Sequence, residues 1–278
     1  MKLVENQQGN GSWRYHGGNE RIRSGEDYDQ IETYRILRVL VEEYAMSKRH
    51  PSLARAAEYL FAHQTAEGDF RGICGNQYMP YYSAAMMELL IKAGYGDDPR
   101  VSRGFRWLLS MRQDDGGWAF PMRTLGKRLT PEVFRSQPIE PDRSKPFSHL
   151  ATGNVLRAFA AHPKYRRSPE AKAAADLLAS SFFKPDNYPD RQAPSFWTSF
   201  SFPFWFTDLI SALDSVTLIA PGKNVHVSEG IDWLVSRQRN SGLWNLRLRA
   251  MAREETPNHW ISLAVCRILK RFFSSVPH

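Results

Sequence analysis

One pattern recurs along this chain and constrains its fold more than any other feature. Four segments close on Gly-x-aromatic. They are Gln7-Gln8-Gly9-Asn10-Gly11-Ser12-Trp13, Gln64-Thr65-Ala66-Glu67-Gly68-Asp69-Phe70, Gln113-Asp114-Asp115-Gly116-Gly117-Trp118 and Gln238-Arg239-Asn240-Ser241-Gly242-Leu243-Trp244. A Gln stands three or four residues before the aligned Gly in every copy. An apolar pair stands seven and eight residues before it: Leu3-Val4, Leu60-Phe61, Leu108-Leu109 and Leu234-Val235. Three residues earlier come Ala57, Phe105 and Ile231. That i, i+3, i+4 spacing is one face of a helix. Each motif therefore marks the C-terminal end of an amphipathic helix and the glycine turn after it.

The aligned glycines lie 57, 48 and 126 residues apart. The last interval is about double, so a worn copy is expected between. Leu177-Leu178 followed by Pro185-Asp186-Asn187-Tyr188 fits it, over 177–188, without the Gln and Gly. Five units result. A second, more apolar helix is predicted after each turn, near 29–46, 78–94, 147–162, 204–219 and 257–273. The helices ending at the motifs are predicted near 51–63, 99–112, 168–181 and 225–238. In a two-layer array the apolar set is inner and the amphipathic set outer. Repeats of this size cannot bury a face alone and must stack. The first outer helix is nearly missing, so a protein partner or a dimer is expected at that edge.

The Q-x(2–3)-G-x-[W/F] pattern at helix ends resembles the QW repeat of the squalene–hopene cyclase superfamily. Related repeats occur in protein prenyltransferase β subunits. The resemblance spans essentially the whole chain. It implies an all-α fold, an α/α toroid of about five helix pairs with a central cavity, in a single domain over 1–278. It also places every motif loop and every inner-helix N-terminus on one face. The repeat Gln and aromatic residues are read as staples rather than site residues, since an amide can bond helix-end groups.

The chain has 278 residues, 42% hydrophobic and 13% aromatic, with eight Trp. An aromatic-lined cavity is within reach of that content. Two cysteines, Cys74 and Cys266, argue against a disulfide framework and a cysteine-rich zinc site. The first residues lack a signal-peptide core, and no run of 18 apolar residues occurs, so a cytoplasmic protein is expected. The net charge of +8 suits an anionic group or a membrane surface. Long loops at 119–146 and 183–203 carry many of the bases, with Arg71, Arg247 and Arg249 nearby. An apolar, isoprenoid-like ligand with an anionic head would suit that face, with peripheral membrane contact. No nucleic-acid module, phosphate loop or dinucleotide fingerprint is present.

The resemblance also implies chemistry, and here the chain departs from the pattern. The cyclases protonate an alkene with a D-x-D-D acid cluster. The best-matching place is Trp205-Phe206-Thr207-Asp208, which keeps only the last Asp. Burial among Trp197, Phe202, Phe204, Trp205 and Phe206 would raise the pKa of Asp208. Alternatively Asp208 is a helix-start acid favoured by the dipole. The prenyltransferases hold zinc with Asp, Cys and His. His259, before Trp260, looks like that His, but the Asp-x-Cys element is missing, so neither metal nor cofactor is expected.

The candidate catalytic residues are thus Asp208, His149 and His259. The candidate substrate-binding residues are Tyr78, Tyr81, Tyr82, Trp205, Trp260 and Glu32. Tyr and Trp rings can stabilise a cation or stack on a sugar. Each also has an ordinary reading as packing, cap or solvated surface. The leading expectation is an isoprenoid-processing or isoprenoid-binding protein. A carbohydrate-active lyase or glycosidase on the same architecture is the first alternative, and a non-catalytic interaction scaffold the second.

Overall fold

The computed structural model describes residues 2–16, 27–222, 224–249 and 257–274. Among these the chain is all-helical, with only isolated β-bridges at turns. It divides into two compact units, Met1–Pro146 and Phe147–His278. The sequence reading expected one domain.

The first unit begins with a single turn, α1 (Lys2–Glu5). The helix pairs follow: α2 (Tyr28–Glu42), α3 (Pro51–Ala62), α4 (Pro80–Leu90) and α5 (Pro99–Ser110). Local chemistry sets the boundaries. Asp27, His50 and Asp98 cap α2, α3 and α5 through side chains that accept backbone N–H groups. Pro51, Pro80 and Pro99 open their helices where no N–H is needed. The outer helices bury one stripe each, Leu53, Ala56, Ala57 and Leu60 in α3 and Val101, Gly104, Phe105 and Leu108 in α5. In α4 only Tyr82 escapes full burial, which makes it an inner helix. The long loop contains two short helices, α6 (Pro121–Thr124) and α7 (Pro131–Arg135).

The second unit contains α8 (His149–Ala161), α9 (Pro169–Ala179), α10 (Leu209–Ile219), α11 (Val225–Ser236) and α12 (Pro257–Ser274). A 3-10 turn at Tyr165–Arg167 joins α8 to α9. Helix α10 is the hub, packing on α8, α9 and α12. It starts five residues later than the expected 204. Asp208 and Ser211 form a reciprocal capping box there, which stops the helix and leaves the aromatic run 202–206 as loop.

The motif copies show what each residue does. The indole N–H of Trp13, Trp118 and Trp244 donates to Leu3, Leu108 and Leu234, ten residues back, at 2.6–2.7 Å. The aromatic's backbone N–H donates to a hydroxyl on the following inner helix. The pairs are Trp13–Thr33, Phe70–Ser83 and Trp244–Ser262. The Gln amide then reaches the next outer helix. Gln7 donates to the carbonyls of Gly11 and Ser52, and Gln64 to those of Gly68 and Arg100. Arg55 and Arg103, three residues further along those helices, return a bond to the Gln oxygens. Gly68 is required for this approach: it holds φ +119°, and a Cβ there would lie 2.6 Å from the Arg103 carbonyl oxygen. In the third copy Gln113 grips the long loop instead, at Asp142 and Lys145. In the fourth Gln238 bonds its own turn at Gly242, and both residues are exposed.

Candidate functional site

The second unit gathers the polar groups that a reaction could use. Asp208 lies at the N-cap of α10 and is 1% exposed. One carboxyl oxygen accepts the Ser211 N–H at 2.8 Å, while Ser211 Oγ accepts the Asp208 N–H at 2.9 Å. The other oxygen, Oδ2, is buried without a hydrogen-bond partner. Burial pushes this carboxyl up to about 6, against the opposing pull of the Ser211 bonds and of the Arg157 and Arg249 charges. Asp208 is thus a helix cap whose second carboxyl oxygen is left buried and unbonded.

Its surroundings come from three directions. Thr207 donates to the Leu150 carbonyl at 2.8 Å, pinning the loop against α8. Gly153 makes room there, because a Cβ at that point would run into the Thr207 side chain. Residues 199–200 pair with 247–249 through Phe200 N–H to Arg247 O and Arg249 N–H to Phe200 O. Arg249 also donates to Ser199 O at 3.0 Å. Arg157 lies over the Phe204 ring, 5.7 Å from its centre. Phe204 meets Phe202, and Phe202 stacks on Trp260 at 5.3 Å with the rings nearly parallel. Trp205 touches Phe206 at 6.3 Å and is half-buried, as is Trp260. The aromatic loop therefore links Asp208, Trp205 and Trp260. His259 projects to the exposed side of α12.

His149 opens α8 and is buried against Trp197, with ring centres 4.6 Å apart. Its Nδ1 lies 3.5 Å from Asp186. Burial, helped by the Arg191 charge, pushes this imidazole down to about 3, so it is neutral at ordinary pH and forms no ion pair with Asp186. Asp186 instead caps α8, accepting from Ser148 Oγ at 2.8 Å and from Leu150 N–H at 3.2 Å. Its carboxyl is raised by burial. His149 and Asp208 are joined through one segment. Trp197 packs on His149, and its carbonyl accepts the Leu209 N–H at 3.0 Å.

The other predicted residues belong to the first unit. Tyr78 donates to Glu67 at 2.6 Å, and Arg71 lies over its ring while binding Glu67 and Asp69. Tyr81 packs edge-on to Tyr82 at 4.9 Å and against Phe120, and Tyr82 meets Tyr34. Glu32 pairs with Arg35 at 3.3 Å on the surface of α2. The polar residues before Tyr78 hold the long loop: Gln77 donates to Val133 O at 2.6 Å, and Asn76 to Ser136 O at 3.1 Å. Several bases assigned to a cationic mouth also serve the chain itself. Arg71 is in the network above, and Arg191 is buried over Phe196 and Phe206, each 4.3 Å away.

One pair escaped the sequence reading. His63 Nε2 lies 3.2 Å from Asp27, and Nδ1 lies 2.9 Å from the Tyr59 carbonyl. Both ring nitrogens face acceptors, which favours the doubly protonated ring. The Asp27 hydrogen bond outweighs burial and raises the His63 pKa. Asp27, pulled by His63 and by the Gln30 and Asp29 N–H groups against burial, is lowered. With no free nitrogen, His63 is an ionic clasp rather than a base. Its only sequence signal was its place just before a motif Gln. Among the described residues no three His, Cys, Asp or Glu side chains form a metal-ligand group.

Residues 27–132 match the family model of the squalene-hopene cyclase C-terminal domain. That segment is terpenoid cyclase-like, as its repeats suggested, and it lies within the first unit. Among curated proteins nothing matches the chain. Similar solved structures include a protein from Actinoplanes, with TM-score 0.48 and 16% identity over 98% of this chain and 81% of that one. A polysaccharide lyase has TM-score 0.46 and 14% identity over 100% and 81%. The type II terpene cyclase MstE from Scytonema has TM-score 0.38 and 12% identity over 99% and 96%. Likenesses this remote, to proteins of different chemistry, do not choose between a terpenoid and a carbohydrate substrate.

Proposed function

We propose that this protein binds and processes an apolar isoprenoid-like molecule, with Asp208 as the acid. The observation that carries the reading is the buried Oδ2 of Asp208, without a hydrogen-bond partner, on a carboxyl raised to about 6. A carboxyl of that kind holds its proton in roughly a tenth of molecules at neutral pH and in most of them below pH 6. The protonated oxygen would add its proton to an alkene carbon, leaving a carboxylate and a carbocation. Arg157 and Arg249 would stabilise the carboxylate, since both already favour its charged form. The π faces of the Phe202–Trp260 stack, Phe204 and Trp205 would stabilise the cation. Loss of a proton from that cation to solvent would leave an isomer of the substrate, and uptake of a proton from solvent by the Asp208 carboxylate would close the cycle. His149 would act as a positioning residue, since it is neutral, buried and holds Trp197.

Two measurements test this. Purified protein would be incubated with linear polyprenes between pH 5 and 8, and the hydrocarbons analysed for isomers of unchanged mass. Turnover should fall about tenfold per pH unit above 6 and be lost in Asp208→Asn. Turnover in Asp208→Asn equal to wild type would remove Asp208 as the acid. Absence of polyprene binding, read by tryptophan fluorescence, would remove the substrate class.

A further inference from the structure

At the opposite end of α10 from Asp208, the second unit has a cleft of about 480 Å³. Arg166 and Arg167, from the 3-10 turn after α8, line it together with Arg271 of α12. Thr217, Leu218, Ile219, Pro221 and Ser274 supply its remaining wall. The separation from Asp208 is about 16 Å, the length of an eleven-residue helix. It is therefore independent of the acid site.

The charges in the cleft are unequal. No carboxylate is among its lining residues. Arg271 is held in place, with Nε on Thr217 Oγ1 at 3.1 Å and Nη2 on Asp214. Asp214 is further matched by Arg267 at 3.7 Å. Among the described residues, Arg166 and Arg167 have no carboxylate within ion-pair distance. Arg166 is half-buried and Arg167 exposed, so one guanidinium is shielded from water at the wall and the other meets incoming ligand. Consecutive residues of a 3-10 turn normally diverge, yet both reach this cleft. An excess of two positive charges over a partly apolar floor selects for an anion with several acceptor oxygens, two of which a planar guanidinium grips at once.

We infer that this cleft binds a phosphate group carried on a partly apolar molecule, with Arg166 and Arg167 as its ligands. The phosphate lies between the two guanidinium groups, and its organic part rests on Ile219 and Pro221. The same chemistry is offered by a soluble phosphate ester and by a phospholipid headgroup. Membrane spanning is not implied, because no described helix is long and apolar enough to cross a bilayer.

The test uses the full chain, with inorganic diphosphate as the soluble probe and sedimentation with phosphatidylcholine vesicles, with and without phosphatidic acid, as the other arm. The double variant Arg166→Gln/Arg167→Gln should weaken diphosphate binding by about tenfold or more, the effect of losing one charge-assisted hydrogen bond. The charge-matched control Lys127→Gln/Arg128→Gln, in the first unit, and Asp208→Asn should leave it unchanged. Pelleting that depends on phosphatidic acid and is lost in the double variant assigns the phosphate to a membrane. Diphosphate binding without such pelleting assigns it to a soluble ester. Equal loss in the double variant and its charge-matched control, or no diphosphate binding by the wild type, overturns the inference. Circular dichroism of each variant, matching wild type, excludes misfolding as the cause.

Discussion

Gly68 and Gly242 occupy the same place in two copies of one motif, yet substitution to alanine should cost different amounts. Both hold positive φ, +119° and +81°. Forcing a Cβ into that backbone region costs about 1–2 kcal/mol in either copy. At Gly242 nothing lies within 4 Å of the added Cβ, so strain is the whole penalty. At Gly68 the Cβ would sit 2.6 Å from the Arg103 carbonyl oxygen and 3.0 Å from Arg103 Cγ. The start of α5 must then move away, and the Gln64–Arg100 bond stretches with it. Overpacking of this kind adds about 1–3 kcal/mol. Gly68→Ala should therefore cost about 2 kcal/mol more than Gly242→Ala, roughly a thirtyfold difference in the folded-to-unfolded ratio. Two compact units make a single two-state transition an unsafe assumption. Amide exchange read separately in each unit is the better assay. Equal losses in the two variants would refute the reasoning, because the glycine would then serve its own turn and not the neighbouring helix.

The clasping amides predict a similar contrast. Gln64→Ala removes a bond within its own turn and the two that tie it to α5, to Arg100 and from Arg103, and should cost about 2 kcal/mol, whereas Gln238→Ala removes a single exposed one and should cost under about 1 kcal/mol. Asp208 should make stability fall with rising pH. Its folded pKa, about 6, exceeds the ordinary carboxyl value of 3.8, so the folded state holds the proton to higher pH, and about 3 kcal/mol is lost between those values. Urea midpoints at pH 4 and pH 7 should therefore differ more in wild type than in Asp208→Asn, and identical pH dependence would sink the burial argument. The His63–Asp27 clasp should also lose stability at high pH, for a different reason. His63 is raised above 6.5 and Asp27 lowered below 3.8, so its contribution is full between those values. It fades as pH climbs through the raised His63 pKa, and again as acid protonates Asp27. Partial exposure of both side chains limits it to about 1 kcal/mol. Proton NMR of the His63 ring would show the raised midpoint in wild type and its return towards 6.5 in Asp27→Asn.

The sequence by itself determined the helix pairs, their order and their layering. Leu53, Ala56, Ala57 and Leu60 face inward because apolar spacing near 3.6 residues admits one buried stripe. The turns were legible because only glycine tolerates the backbone that Gly11, Gly68, Gly116 and Gly242 adopt. The aromatic loop before Asp208 was less legible, since a run of Phe and Trp has no period that separates loop from buried helix. The hydroxyl partners Thr33, Ser83 and Ser262 were invisible for a different reason. Each lies 13 to 20 residues from the aromatic it binds, and nothing in local spacing marks one Ser or Thr among many.

Only the tertiary structure decided the chemistry of the acidic and basic groups. Asp208 reads as a cap or as an acid in sequence; the structure shows the cap and leaves its second oxygen buried and unbonded. His149 reads as a catalytic candidate, yet burial beside Trp197 with Arg191 nearby disfavours its taking up a proton. Arg71 and Arg191 read as a cationic mouth, but carboxylates and aromatic rings of their own chain hold them. Arg166 and Arg167 stand outside every motif, and the cleft they share with Arg271 exists only once α8 and α12 pack on α10. The physical reason is common to all four. A side chain's identity sets what it can donate or accept, but its charge state and its partners depend on burial and on neighbours that sequence distance does not reveal.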